Sequence, residues 1–224
     1  MTVELDPAHV EARLAAGALT CPACTAVLGG WGWARPRMIR NGDRRVRLAP
    51  RRARCTGCAV THVLLPVIAL VRRADAAVVI GWALTARAAG RGHRWIADRL
   101  GVPAGTVRGW LRRFGARLAG VEAFFTAAGI GIAVDPVLPG TGGSGWADAV
   151  GALLWFAGLA AAGFTPAPVR APAADHDGAV PADLHEADPA SRAWVWAAIS
   201  AACHGQLLSP AWPSTSGSLG SSTS

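Results

Sequence analysis

The spacing of apolar positions changes character several times along the chain. Ile96, Ala97 and Leu100, then Val107, Trp110, Leu111, Phe114 and Leu118, recur at the three-and-four intervals of a single helix face. They predict two helices, over 93–100 and from about 104 to 118, with Gly101 in the turn and Val102 filling the space between. A helical pattern over 74–89, closed by Gly90, precedes them. Near the start, Asp6-Pro7 reads as an N-cap followed by a first-turn proline, and Gly17 as the stop. Between these helices the period shortens to two. Asn41-Gly42 is the strongest short turn signal, RVRL at 45–48 alternates charged with apolar side chains, and VTHVLLP at 60–66 is a β-branched run ended by Pro66. Beyond 120, the stretches 121–134 and 146–164 are apolar and Ala/Gly-rich, and predict helices. Residues 165–190 mix Pro, Ala and Asp without period and predict a mobile linker. A last helix is predicted near 191–202, and residues 214–224 are too small and polar to pack and predict a disordered tail.

The fold class that follows is mainly α with a small β ribbon. Its parts are an N-terminal helix and ribbon (1–66), a three-helix unit (67–120), Ala/Gly-rich helices (121–164), the linker (165–190), a C-terminal helix (191–213) and the tail (214–224).

Charge changes the picture. Arginine replaces lysine throughout, which coding bias explains, so its position matters more than its identity. Residues 1–118 hold 20 Arg against 6 Asp+Glu, a net +14, whereas residues 119–224 hold 2 Arg against 8 Asp+Glu, a net −6; together these give the chain's +8. A basic half of this kind meets a polyanion, nucleic acid first and an anionic membrane surface second. The opening MTVELDPAHVEARL has three acids and no apolar run, so it does not read as a signal peptide. Five cysteines, four of them in CxxC pairs, suit a reducing cytoplasm and a metal site better than a disulfide scaffold; Cys203 reads as a small buried apolar residue.

Cys21, Cys24, Cys55 and Cys58 form CxxC-x30-CxxC. Each pair can turn two sulfurs toward one ion, and two facing pairs complete the tetrahedral sulfur shell of a closed, structural Zn²⁺ site. A redox dithiol would need one pair and leave the other unexplained. Gly57 is expected to supply a positive φ inside the second pair, and the Asn41-Gly42 hairpin to fold back the thirty intervening residues. His62 and His93 then read as structural, because the shell is already full.

Between Arg35 and Arg54 lie nine arginines and one acid, Asp43. Such a run is ordinarily a solvated surface, but nine like charges in twenty residues repel one another, and a phosphate backbone is their natural complement. On a hairpin Arg45 and Arg47 share a face, with Arg51 and Arg52 close behind. The segment IADRLGVPAGTVRGWLRRF has the spacing of a helix-turn-helix, with no acid from Gly101 to Gly120. Subtracting its buried stripe leaves Ala104, Gly105, Arg108, Gly109 and Arg112 outward, with Arg113 beside them. In this motif the start of the second helix reads base edges: Arg108 can pair with a guanine, and Thr106 suits a phosphate. Trp95 and Trp110 read as packing residues.

The stretches LDPAHVEARLAAGALTCPAC, GWARPR, RLAPRRARCTGCAVTHVLLP and GRGHRWIADRLGVPAGTVRGWLRRF resemble a family of actinobacterial proteins that join a zinc ribbon to a helix-turn-helix. They cover roughly residues 5–118, about half the chain. The layout also looks like the DNA-binding N-terminal part of insertion-sequence transposases, which implies a mobile-element origin or a related role. The resemblance implies the four cysteines as zinc ligands and residues 94–114 as the reading head; it carries nothing to the C-terminal third.

A transposase would gather carboxylates on a sheet around metal ions. Beyond residue 118 the acids are Glu122, Asp135, Asp148, Asp175, Asp177, Asp183, Glu186 and Asp188, five of them in the Pro/Ala linker, and no strand pattern accompanies them. No catalytic residue and no small-molecule substrate are therefore expected. Residues 149–164 are sixteen uncharged positions, short of the about twenty a membrane span needs, so they predict a buried or dimer-forming helix. The expectation is a cytoplasmic, nucleoid-associated protein that binds double-stranded DNA as a transcriptional regulator or transposase-like accessory, with a homodimer left open. The alternatives are a zinc-dependent adaptor whose arginines meet an acidic protein and, through 149–164, a membrane-associated protein.

Overall fold

Asp6 starts the first helix: its carboxylate accepts the Ala8 N–H at 2.8 Å and Pro7 sits in the first turn, giving α1 (Pro7–Ala15). Gly17, at φ +66°, turns the chain away. The computed structural model describes residues 1–4, 6–162 and 189–213. The linker expected over 165–190 lies, apart from its last two residues, outside the described residues, as does the tail expected over 214–224.

The β part is larger than the small ribbon expected. Strands β1 (Thr2–Val3), β2 (Leu28–Trp33), β5 (Arg51–Cys55) and β6 (Thr61–Pro66) form one sheet in the order β1-β6-β5-β2, with β1 parallel to β6 and the other pairs antiparallel. β3 (Arg37–Asn41) and β4 (Arg44–Leu48) form a separate hairpin. Its two-residue turn is Gly42-Asp43, one place later than Asn41-Gly42, because Asn41 already pairs with Arg44. Gly42 takes φ +66°, the requirement of a turn whose first central residue is glycine. Strands β2 and β5 carry LGGWGW and RRARC, sequences whose glycines and charges hide any alternation.

Seven helices complete the described residues: α2 (Ala77–Ala88), α3 (His93–Leu100), α4 (Ala104–Gly115), α5 (Leu118–Ile132), α6 (Gly145–Ala162) and α7 (Pro189–Ala202) follow α1. The single helix expected over 104–118 stops at Gly115, where a Cβ would stand 2.9 Å from the Trp146 ring, and α5 begins at Leu118. No helix among the described residues is long and apolar enough to cross a membrane.

Two buried clusters hold these elements. The smaller joins Val10 and Leu14 of α1 to Leu19, Leu28, Ala53, Leu64 and the side chains of Cys21 and Cys55. The larger runs from Ile80 and Leu84 of α2 through Ile96, Val107, Trp110 and Phe114 to Phe125, Leu153, Ile199 and Trp212, so α2 to α7 share one core. Ile39 and Leu48 put the β3–β4 hairpin into this helical core, not into the sheet's. The hairpin is fastened there by Arg40, whose guanidinium donates to both oxygens of Asp75 at 2.7 and 2.9 Å, with Asp75 only 2% exposed. At the far side Gly81 has no room for a methyl group against the Trp196 ring, so glycine is what lets α7 lie on α2.

Candidate functional site

The two CxxC loops are built alike. The Cys21 N–H donates to the Ala26 carbonyl at 2.8 Å and the Cys55 N–H to the Val60 carbonyl at 2.9 Å, closing each loop at its first cysteine. The residue after each second cysteine is left-handed, Thr25 at φ +61° and Ala59 at +60°. Gly57, expected to provide that conformation, does not adopt it. Glycine is needed there for space instead: a Cβ would stand 2.9 Å from the Ala26 Cβ and 3.5 Å from the Cys24 Sγ, because the two loops face each other closely.

This brings the four sulfurs together. Cys24 and Cys55 lie 3.3 Å apart, Cys21 and Cys58 3.8 Å, and all four lie within 4.8 Å of one another. A cation held tetrahedrally about 2.3 Å from each thiolate would space them about 3.8 Å apart, so the cluster is compatible with a structural metal site. The Cys58 N–H, foremost among several donors, outweighs burial and lowers the Cys55 thiol to about 6. At Cys58 the Val60 N–H pulls the other way, but the hydrogen bonds with Cys55 and Cys24 and burial prevail and raise the thiol to about 11. One sulfur ionises readily while its neighbour resists joining it, a conflict that a central cation removes. His62, opposite Ala53 on β6, brings its Nε2 to 3.4 Å from the Cys21 Sγ. It borders the sulfur shell as a hydrogen-bond partner, a role its sequence position alone did not reveal. Cys203 stands apart, fully buried, its thiol pushed up to about 11 by burial.

The arginines expected to form one basic arm divide into two groups. Arg45 and Arg47 are exposed on the same face of β4, paired across to Arg40 and Met38. Arg51 turns inward: its Nε donates to Glu11 at 2.5 Å, its Nη1 to the Gly32 carbonyl, and its guanidinium lies 5.0 Å from the centre of the Trp33 ring. Arg52 is half-buried opposite Val63, and Arg54 lies 4.8 Å over the exposed Trp31 ring.

Gly101 ends α3 at φ +60°, and Val102 packs between α3 and α4. Val107, Trp110, Leu111 and Phe114 are buried, as their spacing requires, which leaves Arg108 and Arg112 exposed and Thr106 half-buried. Arg113 departs from that face. It donates to the Gly109 carbonyl and sits near Arg73 and Arg117, whose guanidinium pKa values are lowered by burial first and by the neighbouring arginines second. Trp95, expected as a packing residue, is 38% exposed; it stacks on Trp82 at 5.9 Å, with Arg91 and Arg99 over its ring. Arg87 at the end of α2 and His93 at the start of α3 line one cleft with Arg108 and Arg112. The only sequence signal for this was their charge, since 87 and 112 lie in different helices. Compared with protein-family models, curated proteins and solved structures, the chain finds no match in any of the three.

Proposed function

We propose that the chain binds double-stranded DNA, with α3–α4 acting as a helix-turn-helix and one Zn²⁺ held by Cys21, Cys24, Cys55 and Cys58 bracing the sheet. The observation that carries this reading is the division of α4: one face is wholly buried, and the other offers Ala104, Gly105, Arg108 and Arg112 with no acid from Gly101 to Gly120. Small residues at the start of such a helix let its backbone approach a groove floor, and Arg108 one turn later can reach a guanine edge in two hydrogen bonds. Arg45 and Arg47 add phosphate contacts from the hairpin; Arg51 and Arg113 are left out of the interface because their guanidinium groups serve the fold. Zinc fits because a closed shell of four thiolates suits it and leaves no position for a catalytic water. The role this implies is that of a transcriptional regulator or transposase-like accessory at the nucleoid.

The test is a fluorescence-anisotropy titration of the purified chain, with metal content measured alongside, on random duplexes followed by selection of a preferred site. One zinc per chain and a selected site bound more tightly than scrambled duplex at equal salt are expected. No duplex binding at 50 mM salt would refute the reading.

A further inference from the structure

The cleft of about 410 Å³ between α2, α3, α4 and the start of α6 belongs to no element of the helix-turn-helix alone. Arg87, His93, Arg108 and Arg112 line it with Trp146, and no acid is among its lining residues. Arg87 lies with its guanidinium 5.6 Å from the centre of the Trp146 ring, and Trp146 itself packs on Phe114 at 5.3 Å, so the arginine is held in place from beneath. Gly92, the residue before α3, also lines the cleft and offers no side-chain cap. The first backbone N–H groups of α3 have no partners inside the helix, and such groups favour an anion. Arginines from two helices and an uncapped helix start therefore converge on one place.

We propose that this cleft is a seat for a phosphate group, with Arg87 and the first turn of α3 as its fixed half and Arg112 closing it from α4. Guanidinium forks match phosphate oxygens in pairs, whereas the exposed Arg108 and Arg112 give the cleft no walls to enclose a small apolar ligand. A nucleic-acid backbone lying across α4 would present such a phosphate, and in that form the proposal rests on the DNA reading above. Free phosphate compounds carry the same chemistry.

The experiment uses the full chain, labelled with ¹⁵N, and follows the Gly92, His93 and Arg94 amides during titration with pyrophosphate and, separately, with a short duplex. Saturable shifts of these amides with either probe are expected, and R87A should abolish them while leaving the shifts elsewhere in the spectrum unchanged. With the duplex, R87A should also weaken selected and scrambled sites by the same factor and reduce the salt slope by about 0.9, the loss of one phosphate contact. Should R87A fold poorly, R87Q and W146F serve instead, the latter lowering affinity by releasing Arg87. Shifts with pyrophosphate alone would sustain the seat and overturn the duplex as its source. An R87A salt slope equal to that of the wild type on a duplex that binds would likewise overturn the duplex as its source, and amides that respond to neither probe would overturn the seat itself.

Discussion

Replacing Asp75 by alanine tests how the hairpin is held. Asp75 is 2% exposed and accepts both hydrogen bonds of the Arg40 fork, at 2.7 and 2.9 Å. On either side, the Arg40 N–H donates to the Ala74 carbonyl and the Ala76 N–H to the Arg40 carbonyl, each at 2.8 Å, so the ion pair closes a backbone bridge between β3 and the start of α2. The hydrogen bond to Asp75 is also the first cause of the raised Arg40 pKa. Breaking a buried pair by removing one partner costs about 3–5 kcal/mol, because the other charge is stranded. The Arg40 side chain is 42% exposed and can return to water, so about 2–3 kcal/mol is expected here. For a chain of this length that lowers the thermal midpoint by about 4–12 °C. The assay is thermal and urea unfolding followed by circular dichroism at 222 nm, which reads the helices sharing a core with Ile39 and Leu48. Arg40→Ala and the double variant complete a cycle in which the two losses should be strongly sub-additive. A change under about 0.5 kcal/mol, or additive losses, would refute the claim that this pair fastens the hairpin.

Three further outcomes follow from the arrangement. Chelation, or Cys55→Ser, should unfold the four-stranded sheet and α1, since Cys21 and Cys55 are part of that small core, yet leave the helices and the β3–β4 hairpin folded; loss of the whole helical signal would count against two separate cores. Truncation after residue 118 should leave a poorly folded chain that binds hydrophobic dyes, because Phe125, Leu153, Ile199 and Trp212 all belong to the core of α4; a cooperative melt of the truncated chain would contradict this. Arg108→Ala should cost about 1–3 kcal/mol on a selected DNA site and much less on scrambled duplex, whereas Arg45→Ala with Arg47→Ala should weaken both alike and lower the salt slope by about two; the reverse pattern would make the hairpin the reader.

What the sequence made legible was whatever depends on near neighbours. The α3–α4 stripe, the α1 cap and the convergence of four cysteines follow from spacings of a few residues or from one ion's demand for four sulfurs. The strands β2 and β5 were illegible because Gly30 leaves its place to the Arg51 guanidinium and Arg51 itself folds onto Glu11, so composition there records tertiary packing and not alternation. The arginine arm misled for the same reason. Counting charges treats nine guanidinium groups as equivalent, yet Arg40 and Arg51 find carboxylates thirty-five and forty residues away, and only Arg44, Arg45 and Arg47 extend together from one strand into solvent.

Tertiary contacts, not net charge, also define the place of the acidic C-terminal half. Judged by net charge it can only repel a polyanion, which would make it dispensable for binding. Among its described acids, however, Asp148 in the first turn of α6 accepts the Gly142 N–H from the loop before that helix. The residue that reaches α4 from this half is Trp146, packed on Phe114, with Phe125 and Trp212 in the same buried cluster. Trp146 wedges against Phe114 and beneath Arg87, while the Ser209 carbonyl accepts from Arg117 in the junction between α4 and α5. Apolar wedges and carbonyl acceptors from this half thus fix the orientation of the helix whose arginines face outward. A segment can oppose a ligand by its net charge and still be required for binding, when its contact with the site is made by uncharged atoms.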